Sequence, residues 1–102
     1  MDLEDQFAIA CQAAIAECGK LSPPYVPTAW IGMINRLGAV EAARQLVMSA
    51  DIQPGFVRLV ASNRADLTIE SAILDDKWEI LFDEDMRSVA RWRLQQAGVQ
   101  LP

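Results

Sequence analysis

The chain has 102 residues, of which 52% are hydrophobic and 23% are charged, and its net charge is −5. This length predicts one domain with a single modest core, and the composition excludes a disordered chain. No apolar run approaches the roughly 18 residues that a membrane span needs. Residues 1–7 hold three acids and no base, the reverse of a signal peptide, so we expect a cytoplasmic protein that does not contact membranes.

The first third of the sequence predicts two helices joined by a stiff connector. Apolar residues recur at steps of three and four over residues 3–18, which predicts an amphipathic helix closed by Gly19. Three prolines in residues 20–27 (KLSPPYVP) favour an extended connector. Thr28 is predicted to cap the next helix, which ends at Gly38. The predicted domain therefore comprises an N-terminal helix (1–19), the connector (20–27) and a helical core (28–98).

The middle of the chain predicts two further helices. Residues 39–49 (AVEAARQLVMS) place Val47 and other apolar side chains inward and Arg44 toward water. After Pro54 a short helix is predicted to Ala61, and Asn63 is suited to a left-handed stop.

Residues 66–85 hold eight carboxylates and one lysine, and most of these acids suit helix N-termini. Thr68 is predicted to cap one short helix and Asp75 or Asp76 the next. Asp83 is predicted to cap a last helix over residues 84–97, which Gly98 ends. We find no convincing strand pattern, so the expected fold is all-α, a compact single domain of five or six short helices.

The sequence lacks the residues of most catalytic and cofactor sites. It contains no histidine, which rules out Ser-His and Cys-His catalysis and histidine-ligated metals. The five glycines are scattered and form no phosphate-binding loop. Cys11 and Cys18 would lie two helical turns apart, about 10 Å, too far for a disulfide. We therefore expect free packed thiols, no cofactor, no metal and no enzymatic activity.

The candidate partner-binding residues are surface charges and one tryptophan near the C-terminal third of the chain. They are Glu70, Asp76, Glu79, Asp83, Glu84, Arg87, Arg91 and Trp92. Two interpretations stay open for each group. The acids either bind a partner or only cap helices. The arginines either bind an acidic group or pair with acids such as Glu84, and Trp92 is either an interface anchor or the edge of the core.

Residues 27–94 carry a resemblance to a known kind of protein. The segments are GAVEAARQLV (38–47), GFVRL (55–59), RADLTIES (64–71), WEILF (78–82) and ARWRL (90–94). As a set they resemble a small bacterial domain of unassigned function, found free-standing or as a tail on larger proteins. The resemblance implies an α-helical domain and brings no catalytic residues.

Two functions from different classes follow from these patterns. The first is a non-enzymatic protein-binding module, in its sharpest form a small acidic inhibitor or adaptor of a nucleic-acid-handling protein, such as a phage anti-defence or anti-CRISPR protein. Its partner would be a basic or nucleic-acid-binding protein. The second is a DNA-associated regulator with a helix-turn-helix over residues 28–48. That helix offers only Arg44, Gln45 and nearby Arg36 for base contacts, and the net charge is unfavourable for DNA, so direct nucleic-acid binding is the weaker hypothesis.

Overall fold

The computed structural model describes residues 1–101, which contain six α-helices, two short 3-10 helices and no strand. The α-helices are α1 (Leu3–Cys18), α2 (Thr28–Leu37), α3 (Ala39–Met48), α4 (Pro54–Ala61), α5 (Ile69–Leu74) and α6 (Glu84–Gln96), and the 3-10 helices are Ala65–Leu67 and Asp76–Leu81. The predicted all-α class is confirmed. The Cα radius of gyration is 12.7 Å, close to the roughly 13 Å of a compact chain of this length.

Side-chain caps begin the helices of residues 66–85, the segment that holds eight carboxylates. The Thr68 hydroxyl accepts a hydrogen bond from the Ser71 amide (3.1 Å) at the start of α5. Asp75, rather than Asp76, caps the second 3-10 helix, and Asp83 caps α6 by accepting from the Met86 amide at 2.8 Å. These side chains satisfy amide groups that have no partner within the helix. The local explanation of several acids is therefore confirmed.

Two predicted helix ends are wrong in detail. Thr28 does not cap α2 but is its first helical residue, because Pro27 occupies the preceding position. Gly19 has φ −68°, so α1 ends without a left-handed turn. Asn63 has the predicted left-handed conformation (φ 59°), and Gly98, which was predicted to end the last helix, has φ 84°.

The core forms where α1, α3 and α5 meet the second 3-10 helix and α6. Phe7 of α1 is fully buried and makes edge-to-face contacts with Trp78 and Phe82, at centroid distances of 5.4 and 5.3 Å. Trp30 of α2 is buried as well, so Trp30 and Trp78 both belong to the core. This edge-to-face aromatic packing holds Trp78 and Phe82 against α1.

A buried ion pair joins three helices. The side chains of Glu70 on α5 and Arg93 on α6 are only 4% and 5% exposed, and Arg93 Nη1 lies 3.3 Å from Glu70 Oε2. Arg93 also donates to the carbonyl oxygens of Leu46 and Ser49 at the end of α3. The guanidinium thus links α5, α6 and the C-terminus of α3 within the interior.

The proline-rich connector is held against α4. Arg58 donates to the Pro23 carbonyl and lies over the Tyr25 ring, 5.6 Å from its centroid. The Tyr25 amide donates to the Cys18 carbonyl at 3.0 Å. A Cβ atom on Gly55 would collide with the Tyr25 hydroxyl, so glycine is what allows the ring to approach α4.

Candidate functional site

An acidic surface covers the outer side of the second 3-10 helix and the first turn of α6. We define it by five exposed carboxylates, those of Asp76, Glu79, Asp83, Glu84 and Asp85. Lys77, the one base within residues 66–85, lies over the Trp78 ring, 4.9 Å from its centroid. Lys77, together with Arg87 and Arg91, which pair with Asp76 and Glu84, offsets part of the negative charge of this surface.

Ile80 is an exposed apolar residue of the second 3-10 helix, next to Glu79 in the sequence. Its side chain is 85% exposed, the highest value among the exposed large hydrophobic residues of the described chain. The cause is the 3-10 helix, in which residues three apart share a face. Trp78 and Leu81 occupy the buried face of this helix, which turns Ile80 toward solvent. The α-helical period that places Trp78, Leu81 and Phe82 on one face also puts Ile80 on the opposite face. Apolar spacing could therefore have identified Ile80, although it was not among the candidate residues.

The two candidate arginines pair with carboxylates of the acidic surface and differ in how deeply they are buried. Arg87 is only 12% exposed and its Nη2 lies 3.5 Å from Asp76 Oδ1. Arg91 is more open and lies 3.8 Å from Glu84. The pairing of Arg91 with Glu84 agrees with the intramolecular interpretation, while Arg87 pairs with Asp76 rather than with Glu84. Arg87 is withdrawn from solvent, with its Nη1 buried and without a hydrogen-bond partner among the described residues, whereas the Arg91 side chain is 41% exposed.

Trp92 lies on the outer face of α6 and is 57% exposed. It follows Asp85 by seven positions, which places it on the same helix face two turns further along, about 10 Å away. Trp92 is therefore an exposed aromatic side chain, not the edge of the core, and it lies beyond one end of the acidic surface.

The structure corrects the assignment of Glu70 to a partner-facing surface. Its side chain is paired with Arg93 in the interior, because Arg93 projects from the packed side of α6 and requires a buried counter-charge. Glu70 therefore supports the fold and does not belong to the acidic surface.

Two of the three residues expected to contact DNA are engaged within the protein, and the third, Arg36, is exposed. Arg44 does not face water freely, because its Nε and Nη2 donate to the Leu81 carbonyl at 3.1 and 2.8 Å. Gln45 donates to Glu41 at 3.3 Å. Glu41, an exposed carboxylate on α3 beside Arg44 and Gln45, also opposes the approach of a phosphate group.

A cavity of about 430 Å³ lies between α1, the connector, α2, α4 and α5. Its floor consists of buried and mostly apolar side chains, including Phe7, Cys11, Cys18, Trp30, Phe56, Leu59 and Trp78. Exposed residues form its rim, among them Ala10, Val26, Ala29, Asp66 and Asp75. Sequence reasoning missed the cavity because five separate segments of the chain enclose it.

The polar groups of the cavity floor already have partners. The Thr68 hydroxyl donates to the Ala65 carbonyl at 2.7 Å, and Glu70 accepts from Arg93. Both cysteines are free, as predicted. Burial raises the pKa of the Cys11 thiol to about 12 and also raises that of Cys18, so both thiols are neutral near pH 7 and act as small apolar groups.

Two further geometric findings concern the described residues as a whole. Within residues 1–101, no three Cys, Asp or Glu side chains are grouped so that they could hold a metal ion. Among the helices of the same range, none combines the length and apolar character that crossing a membrane requires.

No protein family, curated protein or solved structure matches this chain. The resemblance to a bacterial helical domain therefore stays a prediction from the sequence segments that carry it.

Proposed function

We propose that this protein is a non-enzymatic protein-binding module that docks on a basic partner through the acidic surface. The observation that carries the proposal is Ile80, an aliphatic residue 85% exposed on the short helix that also carries the exposed carboxylates of Asp76 and Glu79. An exposed apolar side chain on an element with exposed charges is what an interface anchor with a polar rim requires. The carboxylates would attract a basic surface, and Ile80 would be buried on contact.

The sharper form of the proposal is a small inhibitor or adaptor of a nucleic-acid-handling protein, of the kind that phage anti-defence and anti-CRISPR proteins represent. Proteins that bind nucleic acids present Lys and Arg side chains to phosphate groups. A compact set of carboxylates is attracted to the same side chains. Such a partner would therefore lose part of its affinity for nucleic acid when this chain is bound.

The charge component is tested by two matched substitutions, Glu79→Lys on the acidic surface and Asp51→Lys in the exposed loop after α3. Both reverse one exposed carboxylate and change the net charge equally. The tagged wild-type chain and both variants are used to capture partners from lysate after nuclease treatment. We expect the wild-type chain and Asp51→Lys to retain the same basic protein and Glu79→Lys to lose it. Equal retention by both variants, or a partner that nuclease releases, would contradict the proposal.

The contribution of Ile80 to binding is tested by a second matched pair of substitutions. Ile80→Ala removes the exposed side chain of the acidic surface, and Ile52→Ala removes an exposed isoleucine of the loop before α4. With the captured partner purified, we expect Ile80→Ala to weaken binding by at least about tenfold, as an interface anchor does. Ile52→Ala should leave the affinity unchanged. Similar affinities for both variants would remove Ile80 from the interface.

A further inference from the structure

We propose that part of the connector is a lid that opens while the helices stay folded, and that its opening exposes the Cys18 thiol. The lid consists of residues 22–26, between the end of α1 and the start of α2. Tyr25 and Val26 of the lid line the cavity of about 430 Å³, so the same movement widens the entrance of the cavity. This inference does not depend on the partner proposed for the acidic surface.

Few hydrogen bonds hold the lid in place. Within residues 1–101, hydrogen bonds join it to α1 and α4 at two points. The Tyr25 amide donates to the Cys18 carbonyl at 3.0 Å, and Arg58 donates to the Pro23 carbonyl. Pro23 and Pro24 have no amide hydrogen to donate. A segment with so few hydrogen bonds to the rest of the fold opens at a lower free energy than the whole protein unfolds.

One side chain anchors the lid to the body of the protein. Tyr25 is half-buried against Gly55 of α4, with Arg58 over its ring, and the four other residues of the lid are exposed. Pro27, directly after the lid, is buried, as is Trp30, so the start of α2 keeps its position when the lid moves. Because the lid has a single anchor, its five residues leave together when Tyr25 withdraws.

The two cysteines report on different events because different parts of the fold bury them. Cys18, 3% exposed, is the last residue of α1, and its carbonyl is bonded to the lid. Cys11, 4% exposed, lies two helical turns earlier and belongs to the core cluster with Phe7 and Trp78, which does not include Cys18. Opening of the lid therefore exposes Cys18, whereas Cys11 becomes exposed when the core comes apart.

Alkylation of the full chain tests the lid. The native protein is treated with iodoacetamide at several urea concentrations below the unfolding transition, and tandem mass spectrometry gives the reaction rate at each cysteine. A thiol that reacts through local opening has a rate that hardly depends on urea, because little surface is exposed, whereas the rate through global unfolding rises steeply. These slopes do not depend on the intrinsic reactivity of either thiol. We expect a shallow slope at Cys18 and a steep one at Cys11, and equal slopes would overturn the proposal.

Two variants separate the lid from the core. Arg58→Met keeps the unbranched stem but removes the donor to Pro23 and the cation over Tyr25. We expect Cys18 to react about fivefold faster in this variant, since a hydrogen bond and a cation–π contact of the closed lid are lost. Ile73→Val removes one methyl group from a fully buried core residue that does not line the cavity. It should accelerate Cys11 about fivefold, through lower global stability, and leave Cys18 unchanged.

The electrostatic effect of Arg58 on the thiol acts in the opposite direction. Burial raises the pKa of the Cys18 thiol, and the nearby charges of Arg64 and Arg58 lower it, so loss of the Arg58 charge alone would slow the reaction. A faster reaction of Cys18 in Arg58→Met therefore reports opening of the lid. An unchanged or slower Cys18 rate in Arg58→Met, or an Ile73→Val variant that accelerates both cysteines equally, would overturn the proposal.

Discussion

At the scale of single residues, the Glu70–Arg93 pair is the most constrained contact of the molecule. Both side chains are almost fully buried, and Arg93 also donates to two carbonyl groups of α3. A buried charge is tolerated only when it is paired and hydrogen-bonded. The pair therefore fixes how α5 and α6 meet, although it does not have to add net stability compared with an apolar pair.

Removing one member of this pair should destabilise the fold severely. Glu70→Ala leaves the Arg93 guanidinium in the interior without its carboxylate, at a cost of about 3–5 kcal/mol. Urea unfolding followed by circular dichroism measures this change. The exposed Glu79→Ala is the control and should stay within about 0.5 kcal/mol of the wild-type chain.

A double substitution distinguishes an unpaired charge from lost packing. Glu70→Leu with Arg93→Met removes both charges, so it should recover part of the loss. Recovery stays partial because the Leu46 and Ser49 carbonyls lose a donor. A Glu70→Ala cost below about 1 kcal/mol would mean that the pair is not buried as described.

At the scale of elements, the connector depends on a close approach to α4. The Tyr25 hydroxyl lies close to where a Cβ of residue 55 would be, and Arg58, one turn further along α4, donates to the Pro23 carbonyl of the connector. Glycine in a helix normally costs about 0.5–1 kcal/mol relative to alanine. Its presence at residue 55 is explained by the space that the Tyr25 ring needs.

The effect of Gly55→Ala should change sign with the residue at position 25. In the wild-type chain we expect a loss of about 1–3 kcal/mol, because the new methyl group displaces Tyr25. In a Tyr25→Ala background the same change should stabilise α4 by up to about 1 kcal/mol. Thermal or urea unfolding of the four chains gives the coupling energy. Additive effects would show that Tyr25 and Gly55 are not in contact.

The sequence predicts best the features that neighbouring residues determine. The bounds of α1 and the caps at Thr68 and Asp83 follow from apolar spacing and capping chemistry within a few residues, and both are confirmed. Glu70 and Arg44 were misplaced because their partners, Arg93 and the Leu81 carbonyl, are 23 and 37 residues away. The residues next to Glu70 and Arg44 in the sequence do not indicate partners that are so far along the chain.

At the scale of the whole molecule, negative charge is concentrated in one region, whereas exposed large hydrophobic residues are spread along the chain. Residues 66–85 have a net charge of −7, and the rest of the chain has a net charge of +2. The sequence predicted this charge imbalance but not which of the side chains face solvent. Folding withdraws Glu70 into the interior and leaves Ile80 exposed, so the surface offered to a partner has one carboxylate fewer and one exposed apolar residue more than the sequence predicts.

The position of the docking surface is the central claim, and a titration of the isotope-labelled chain with its purified partner tests it most directly. Amide signals are followed by nuclear magnetic resonance at increasing partner concentration. We predict that the perturbed residues cluster at Glu79, Ile80 and Asp83 and fade toward α2 and the connector. Perturbations centred on α2 and α3, with the signals around Ile80 unchanged, would contradict the account and place the interface elsewhere.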